Sequence, residues 1–172
     1  VETPLPGAAS FGYAAANAAT QIAGTAFLLK ALQSRNFAVG VAYSKTDVVQ
    51  AAAFEALVLG AAITWGAAAG IAIATLAVML MSLKSGARPL EALISGVTEK
   101  AAVYGLLSGA SFAISGVMVR AAVLNYGPQA PLSGAAVSAL LTVLSLQVVF
   151  MGLYLLWREP GAFAAIGRSW KT

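Results

Sequence analysis

Apolar residues in this chain come in unbroken runs rather than in stripes, and charged residues mark where the runs end. A helix needs about 20 mainly apolar residues to cross the ~30 Å hydrocarbon core of a bilayer. No charge occurs between Glu2 and Lys30, so a first span is expected over 8–29, after the helix-breaking Pro4 and Pro6. A short basic link with Lys30 and Arg35 follows. The stretch from Phe37 to Leu83 has room for two runs and is too long for one. The expected break is Gly60 to Gly66, where glycines flank Thr64 and Trp65. That places a second span at 37–59 and a third at 64–83. Lys84, Arg88, Pro89, Glu91, Glu99 and Lys100 make a polar link with room for a short surface helix. A fourth span is expected over 101–124 and a turn over 125–131, leading to a fifth span over 134–157. The tail beyond Arg158 is polar and basic, and 162–170 suits a membrane interface. Each run is about twice the length of a membrane β-strand and lacks its alternation. The predicted fold is all-α, a polytopic transmembrane helix bundle of about five spans making one membrane region over 1–172.

Composition agrees with the pattern. The chain is 60% hydrophobic and 9% charged, against roughly 25% charged residues in soluble domains. It has no cysteine and no histidine. That excludes disulfides, thiol nucleophiles, Cys/His zinc sites and histidine acid–base chemistry. No paired-carboxylate motif, phosphate loop or nucleophile elbow occurs, so an enzyme is not expected, nor a metal or organic cofactor. The net charge of +4 comes from loop cations, which read as topology signals rather than a nucleic-acid surface. With five spans, Lys30, Arg35, Lys84, Arg88, Lys100, Arg158, Arg168 and Lys171 fall on one side and Arg120 on the other. The positive-inside rule assigns the crowded side to the cytoplasm. The opening VETPLPG has no positive n-region, so the chain reads as processed at its start or as an internal piece.

The residues that break the apolar pattern are the candidates for chemistry. Lys45 and Asp47 lie in the second span, about 12–15 Å deep if that helix starts near Phe37. Ionisable groups at such depth cost at least ~2.5–3.5 kcal/mol and mark functional sites by default. Lys45 snorkelling to an interface is the structural alternative. In a regular helix the two point about 200° apart, whereas Asp47 and Gln50 share a face. Glu55 suits an interfacial or helix–helix contact, and Arg120 a headgroup contact. Asn17, Thr20 and Gln21 in the first span, and Gln147 in the fifth, are either cavity-lining groups or interhelical hydrogen bonds, with the second preferred for any one of them. Two GxxxG patterns, Gly66–Gly70 and Gly105–Gly109, are expected to let helices approach closely.

The stretch from Leu29 through Asp47, LKALQSRNFAVGVAYSKTD, followed by FEALVLG ending at Gly60, resembles the EamA-type domain of the drug/metabolite transporter superfamily. Ala31–Leu32 and Leu59–Gly60 carry the match, while Ala61 stands where the family has an acidic residue and Val49 near its proline. The resemblance covers roughly 8–160. It implies two five-helix repeats, with this chain holding helices three to seven: the end of one repeat over 8–83 and the start of a second over 101–157. Further helices of the parent chain, or a homo-oligomer partner, would complete the bundle. It also implies secondary transport of a small-molecule substrate, by alternating access around a midplane polar site. There Lys45 meets an anionic group or Asp47, and Asp47 carries a proton. The expected location is the cell (inner or plasma) membrane, multi-pass, in contact with membrane lipid. Family members have cytoplasmic termini, which would place the basic side outside, against the charge rule. The alternative from another class is a non-transporting membrane scaffold or assembly subunit, which has no need of Lys45 and Asp47 at mid-depth.

Overall fold

A computed structural model describes residues 4–60, 62–81, 99–159 and 161–169. The polar link with Lys84, Arg88, Pro89 and Glu91, the end of the third span, and Trp170 and Lys171 lie outside the described residues. Every regular element described is helical, so the fold is all-α. The elements are α1 (Ala8–Leu32), α2 (Phe37–Ser44), α3 (Asp47–Leu59), α4 (Trp65–Met81), α5 (Lys100–Leu124), α6 (Leu132–Arg158) and α7 (Ala162–Ser169).

The centre of the molecule is α1 packed antiparallel on α5, the most extensive helix pair. Ser10 donates to the Ala122 carbonyl (2.9 Å), Asn17 to Ser115, and Ser108 to the Gly24 carbonyl (2.9 Å). Partners recur every seventh residue, the spacing that keeps two slightly supercoiled helices in register. Small residues fill the seam: Ser10, Ala14, Ala18, Gly24 and Ala31 are buried on α1, and Ala101, Ser108, Ala113 and Ala122 on α5. At the seam's end Phe27 stacks on Tyr104, centroids 6.5 Å apart, with the Lys30 ammonium 5.7 Å from the same ring.

The α2–α3 segment runs parallel to α5 and is clasped to it at both ends. Asn36 donates to both carboxylate oxygens of Glu99 (2.8 and 2.7 Å), and Arg120 pairs with Glu55 at 2.6 Å. Arg120 therefore meets a carboxylate on the neighbouring helix instead of only lipid headgroups, because parallel packing brings the two to one level. α3 stops at Leu59, where Gly60 takes φ 63° and returns its N–H to the Glu55 carbonyl. This left-handed cap favours glycine, and it ends the helix where the sequence predicts. α4 then folds back, bringing Met79 against Val39, Ala42 and Tyr43.

The glycine pairs differ from one another. A Cβ at Gly105 would collide with the Gly40 carbonyl oxygen, and one at Gly109 would lie 3.0 Å from the Ser44 carbonyl. At Gly66 and Gly70 nothing among the described residues comes within 4 Å. α4 touches both α2 and α3, Val49, Ala52, Ala53, Ala68 and Ala72 line a cavity between α3 and α4, and Gly66 and Gly70 are exposed.

Among the described residues, two helices are long and apolar enough to cross a membrane: α5, with mean hydropathy 1.7, and α6, with 2.2. The other expected spans appear as helices that fall short for separate reasons. α1 has the length but is diluted by Asn17, Thr20, Gln21 and Thr25. The described part of α4 is 17 residues. The expected second span is cut into pieces of 8 and 13 residues.

Candidate functional site

The cut in the second span has a local cause. Lys45 and Thr46 keep right-handed backbone angles, φ −75° and −73°, with ψ near zero. Their N–H groups reach the third preceding carbonyl: Lys45 to Ala42 (3.1 Å) and Thr46 to Tyr43 (3.2 Å). This is a tight 3₁₀-like turn, of the kind that marks hinges within helices. Hydroxyls flank it and bond back to the main chain, as Ser and Thr do when they compete with the helix ladder. Ser44 donates to the Val41 carbonyl and Thr46 to the Tyr43 carbonyl, each at 2.7 Å. Asp47 then opens α3 and accepts the Val48 N–H at 2.9 Å. A carboxylate there also answers the positive end of the new helix dipole. Gln50 reaches back and donates to the Thr46 hydroxyl oxygen (2.7 Å), tying the first turn of α3 to the break.

The break rests on α5 at Gly109. A Cβ there would be 3.0 Å from the Ser44 carbonyl, 3.1 Å from the Gln50 amide and 3.3 Å from the Asp47 N–H nitrogen. Glycine is thus the residue that admits the displaced backbone at this level.

On the other side the break faces α4 across a cavity of about 300 Å³ lined by Lys45, Asp47, Val48, Ala74 and Thr75. The expected 200° separation of Lys45 and Asp47 does not apply, because the turn between them changes the helical phase and both line one cavity. No ion pair joins them among the described residues. Thr75 is 7% exposed, and its hydroxyl has no hydrogen-bond partner among the described residues. Gln50 is engaged with Thr46 and lies over Gly109, away from this set of lining residues.

No family model, curated protein or solved structure matches this chain. The geometry stands on its own.

Asn17 and Gln21 belong to a different part of the molecule. Asn17 donates to the Ser115 carbonyl (2.6 Å) and hydroxyl oxygen (2.9 Å), and the Ser115 hydroxyl donates to Gln21 Oε1 (2.6 Å). Gln147 joins them along a groove between α1 and α6, in two adjoining cavities of about 350 and 500 Å³ that share Gln21, Leu144 and Gln147. Thr20 bonds back to the carbonyls of Ala16 and Asn17 within its own helix. The candidates thus fall into a charged group at the break and a neutral group in the α1–α6 groove, rather than one midplane site.

Ser44 and Thr46 at the break were not singled out from the sequence, and neither were Ser115 and Thr75. Ser115 sits in the seven-residue series Ala101, Ser108, Ser115, Ala122, facing Ser10, Asn17, Gly24 and Ala31, and that shared spacing was a legible signal. Thr75 carried none, being one hydroxyl in an apolar run.

Proposed function

We propose that this chain is a multi-pass membrane protein of five spans that works as a secondary transporter of small metabolites, with the helix break as its polar centre. The observation that carries this reading is the interruption of one helix where it bears Lys45 and Asp47, with a cavity beside both. Discontinuous helices near the bilayer midplane are how many transporters build a site for a polar solute. The break faces Gly109, about 14 Å from the Lys100 end of α5 at ~1.5 Å per residue, well inside a ~30 Å hydrocarbon layer. Ionisable groups at that depth cost several kcal/mol unless a cavity or partner relieves them. A scaffold would do better with leucine at both positions.

The alternating directions of the helices support five passages: α1 opposes α5, the α2–α3 segment runs with α5, and α4 opposes that segment. α6 leaves Leu141, Leu144, Val148 and Leu153 more than half exposed, apolar surface of the kind that needs lipid or a partner. The likeness to the EamA-type domain supports the same class of function. In proteoliposomes of the full-length protein assayed with a panel of labelled metabolites, Lys45→Met and Asp47→Asn are each expected to reduce uptake about tenfold or more. Expression and melting temperature should be largely retained. Wild-type rates in both variants would favour the scaffold reading.

A further inference from the structure

We propose that the groove between α1 and α6 holds one acyl chain of an anionic phospholipid, whose headgroup rests on the basic end of the bundle. The proposal rests on the membrane reading of this chain and is independent of transport.

The groove exists because α6 leans on its neighbours only with its first half. Its buried residues, Gly134, Ala135, Ser138, Ala139 and Val143, all precede Leu144. Beyond that point α6 runs parallel to α1 without closing on it, and Phe163, in the first turn of α7, completes the wall. Ile22, Leu144, Val148, Met151 and Leu155 make the rest of it apolar. Thr25 also lines the groove, but its hydroxyl donates to the Gln21 carbonyl of its own helix (3.0 Å). Unsatisfied amide groups enter only at the inner end, where Gln21 and Gln147 stand.

Size selects the occupant. From Leu144 to Leu155 α6 rises about 16 Å, close to the ~15 Å depth of one leaflet of a ~30 Å hydrocarbon core. A cavity of about 500 Å³ spread over that length is about 6 Å across. A helix with its side chains is ~10 Å across and could only lie over the opening. An alkyl chain, about 4 Å thick at the usual carbon–carbon contact distance, fits inside. Its tail stops at the Gln21 and Gln147 amides, which an apolar chain end covers only at a desolvation cost.

Charge selects the headgroup. α1 and α6 both end where α5 begins, so Lys30, Arg35, Lys100, Arg158 and Arg168 gather at the mouth of the groove. Among the described residues only two carboxylates stand at that end, Glu159 and Glu99, and Glu99 already accepts from Asn36. Arg158 follows Met151 and Leu155 at helical spacing and so stands on the groove face. It is exposed, with no ion pair among the described residues. An anionic headgroup answers this excess of positive charge, whereas a zwitterionic one brings an ammonium that opposes it.

The test uses the full-length protein in detergent micelles, with phosphatidylglycerol and phosphatidylcholine that each carry a diazirine on one acyl chain. Labelled peptides are mapped by mass spectrometry, and binding is read from melting temperature. The expected result is saturable labelling of 144–155 by the phosphatidylglycerol probe, about fivefold or more above the phosphatidylcholine probe, the scale of one cation at an anionic surface. Arg158→Gln should remove most of that preference. Gly152→Leu plugs the groove: a Cβ at Gly152 meets nothing within 4 Å, so the side chain has room to enter. Without lipid this variant should melt higher than wild type, because leucine is the better helix former and fills the space. Yet it should take no label at 144–155 and gain no stability from phosphatidylglycerol. Lipid acting only as solvent would stabilise both proteins alike and overturn the proposal. Equal labelling by the two probes, or label spread evenly along α4 and α6, overturns it in favour of ordinary annular lipid. Glycerol phosphate competing as well as phosphatidylglycerol overturns it too, because the acyl chain then contributes nothing. A dimer that protects 144–155 with no lipid bound assigns the groove to a second copy. A protein that stays monodisperse in buffer without detergent sinks the membrane reading, and a phosphatidylglycerol complex there that Gly152→Leu abolishes leaves this proposal standing. A membrane-inserted protein with indiscriminate labelling does the opposite.

Discussion

Gly105 and Gly70 belong to two similar motifs, yet their surroundings make them opposites. The missing Cβ at Gly105 is space already taken by the Gly40 carbonyl of α2, whereas around Gly70 there is nothing to meet among the described residues. Gly105→Ala must therefore push two backbones apart, with an expected loss of about 1–3 kcal/mol, the usual range for overpacking. Gly70→Ala removes a poor helix former and should be neutral or stabilising by up to about 1 kcal/mol. Thermal or denaturant unfolding in detergent distinguishes them, and similar losses in both would mean that α4 packs on a further helix through that face. At the same scale, Asn17 and Ser115 form a buried side-chain contact across the α1–α5 seam. A double-mutant cycle with Asn17→Ala and Ser115→Ala should return a coupling of about 0.6–2 kcal/mol, as for other interhelical hydrogen bonds in membranes. A coupling of zero would make the contact incidental.

The element that matters most is the α2–α3 segment, because it is helical throughout yet not one helix. Ser44, Thr46 and Asp47 draw hydrogen bonds away from the ladder, Gln50 ties the far side, and Gly109 leaves room for the displaced backbone. Each contribution is small, and together they hold Lys45 and Asp47 on one cavity. Gly109→Ala tests this directly. Its methyl group would crowd the Ser44 carbonyl and the Gln50 amide by a few tenths of an ångström, too little to unfold the bundle and enough to move the charges. On the proposed transport function, the expected outcome in proteoliposomes is a fall in transport about tenfold, the scale for misplacement of a functional group. The melting temperature should change little. Unchanged transport would show that the break tolerates displacement. Gly105→Ala should behave in the reverse order, with stability lost first.

At the scale of the whole molecule, α5 organises the rest: α1, the α2–α3 segment and α6 all lean on it, and α4 is joined through the broken helix. The arrangement keeps Lys30, Arg35 and Lys100 near one end of the bundle, and the Glu55–Arg120 pair toward the other. If the five-span reading holds, ends on opposite sides must differ in accessibility. The chain has no cysteine, so single substitutions can be labelled without first clearing the background. Ser34→Cys and Glu159→Cys should react with a membrane-impermeant maleimide only from the cytoplasmic face, and Thr64→Cys and Gln129→Cys only from the other. Labelling of all four from one face would rule out five passages. The reverse assignment would keep the five spans and favour the orientation implied by the EamA-type likeness over that from loop charge.

Helical class and element bounds were legible in the sequence because they depend on local quantities: run length, the position of charges, and glycine at a helix end. The start of α1 at Ala8, the end of α3 at Leu59 and the turn after Leu124 all fall where apolar runs and breakers place them. Lys45 and Asp47 stood out for the same reason, as charges inside a run. Their relative direction did not, because a regular helix was the only geometry that spacing allowed. It took the Ser44 and Thr46 hydroxyls, together with the room left at Gly109 some sixty residues away, to change the phase between them. Which glycine pair packs, that Arg120 meets Glu55, and that Thr75 lines the cavity beside Lys45 and Asp47 are likewise facts about neighbours distant in the chain. A linear pattern records what a residue is and what lies within a turn or two of it. Close approach, orphaned hydroxyls and shared cavities arise only once α1, α4 and α5 are laid against the broken helix, because each depends on space that several segments jointly fill or leave empty.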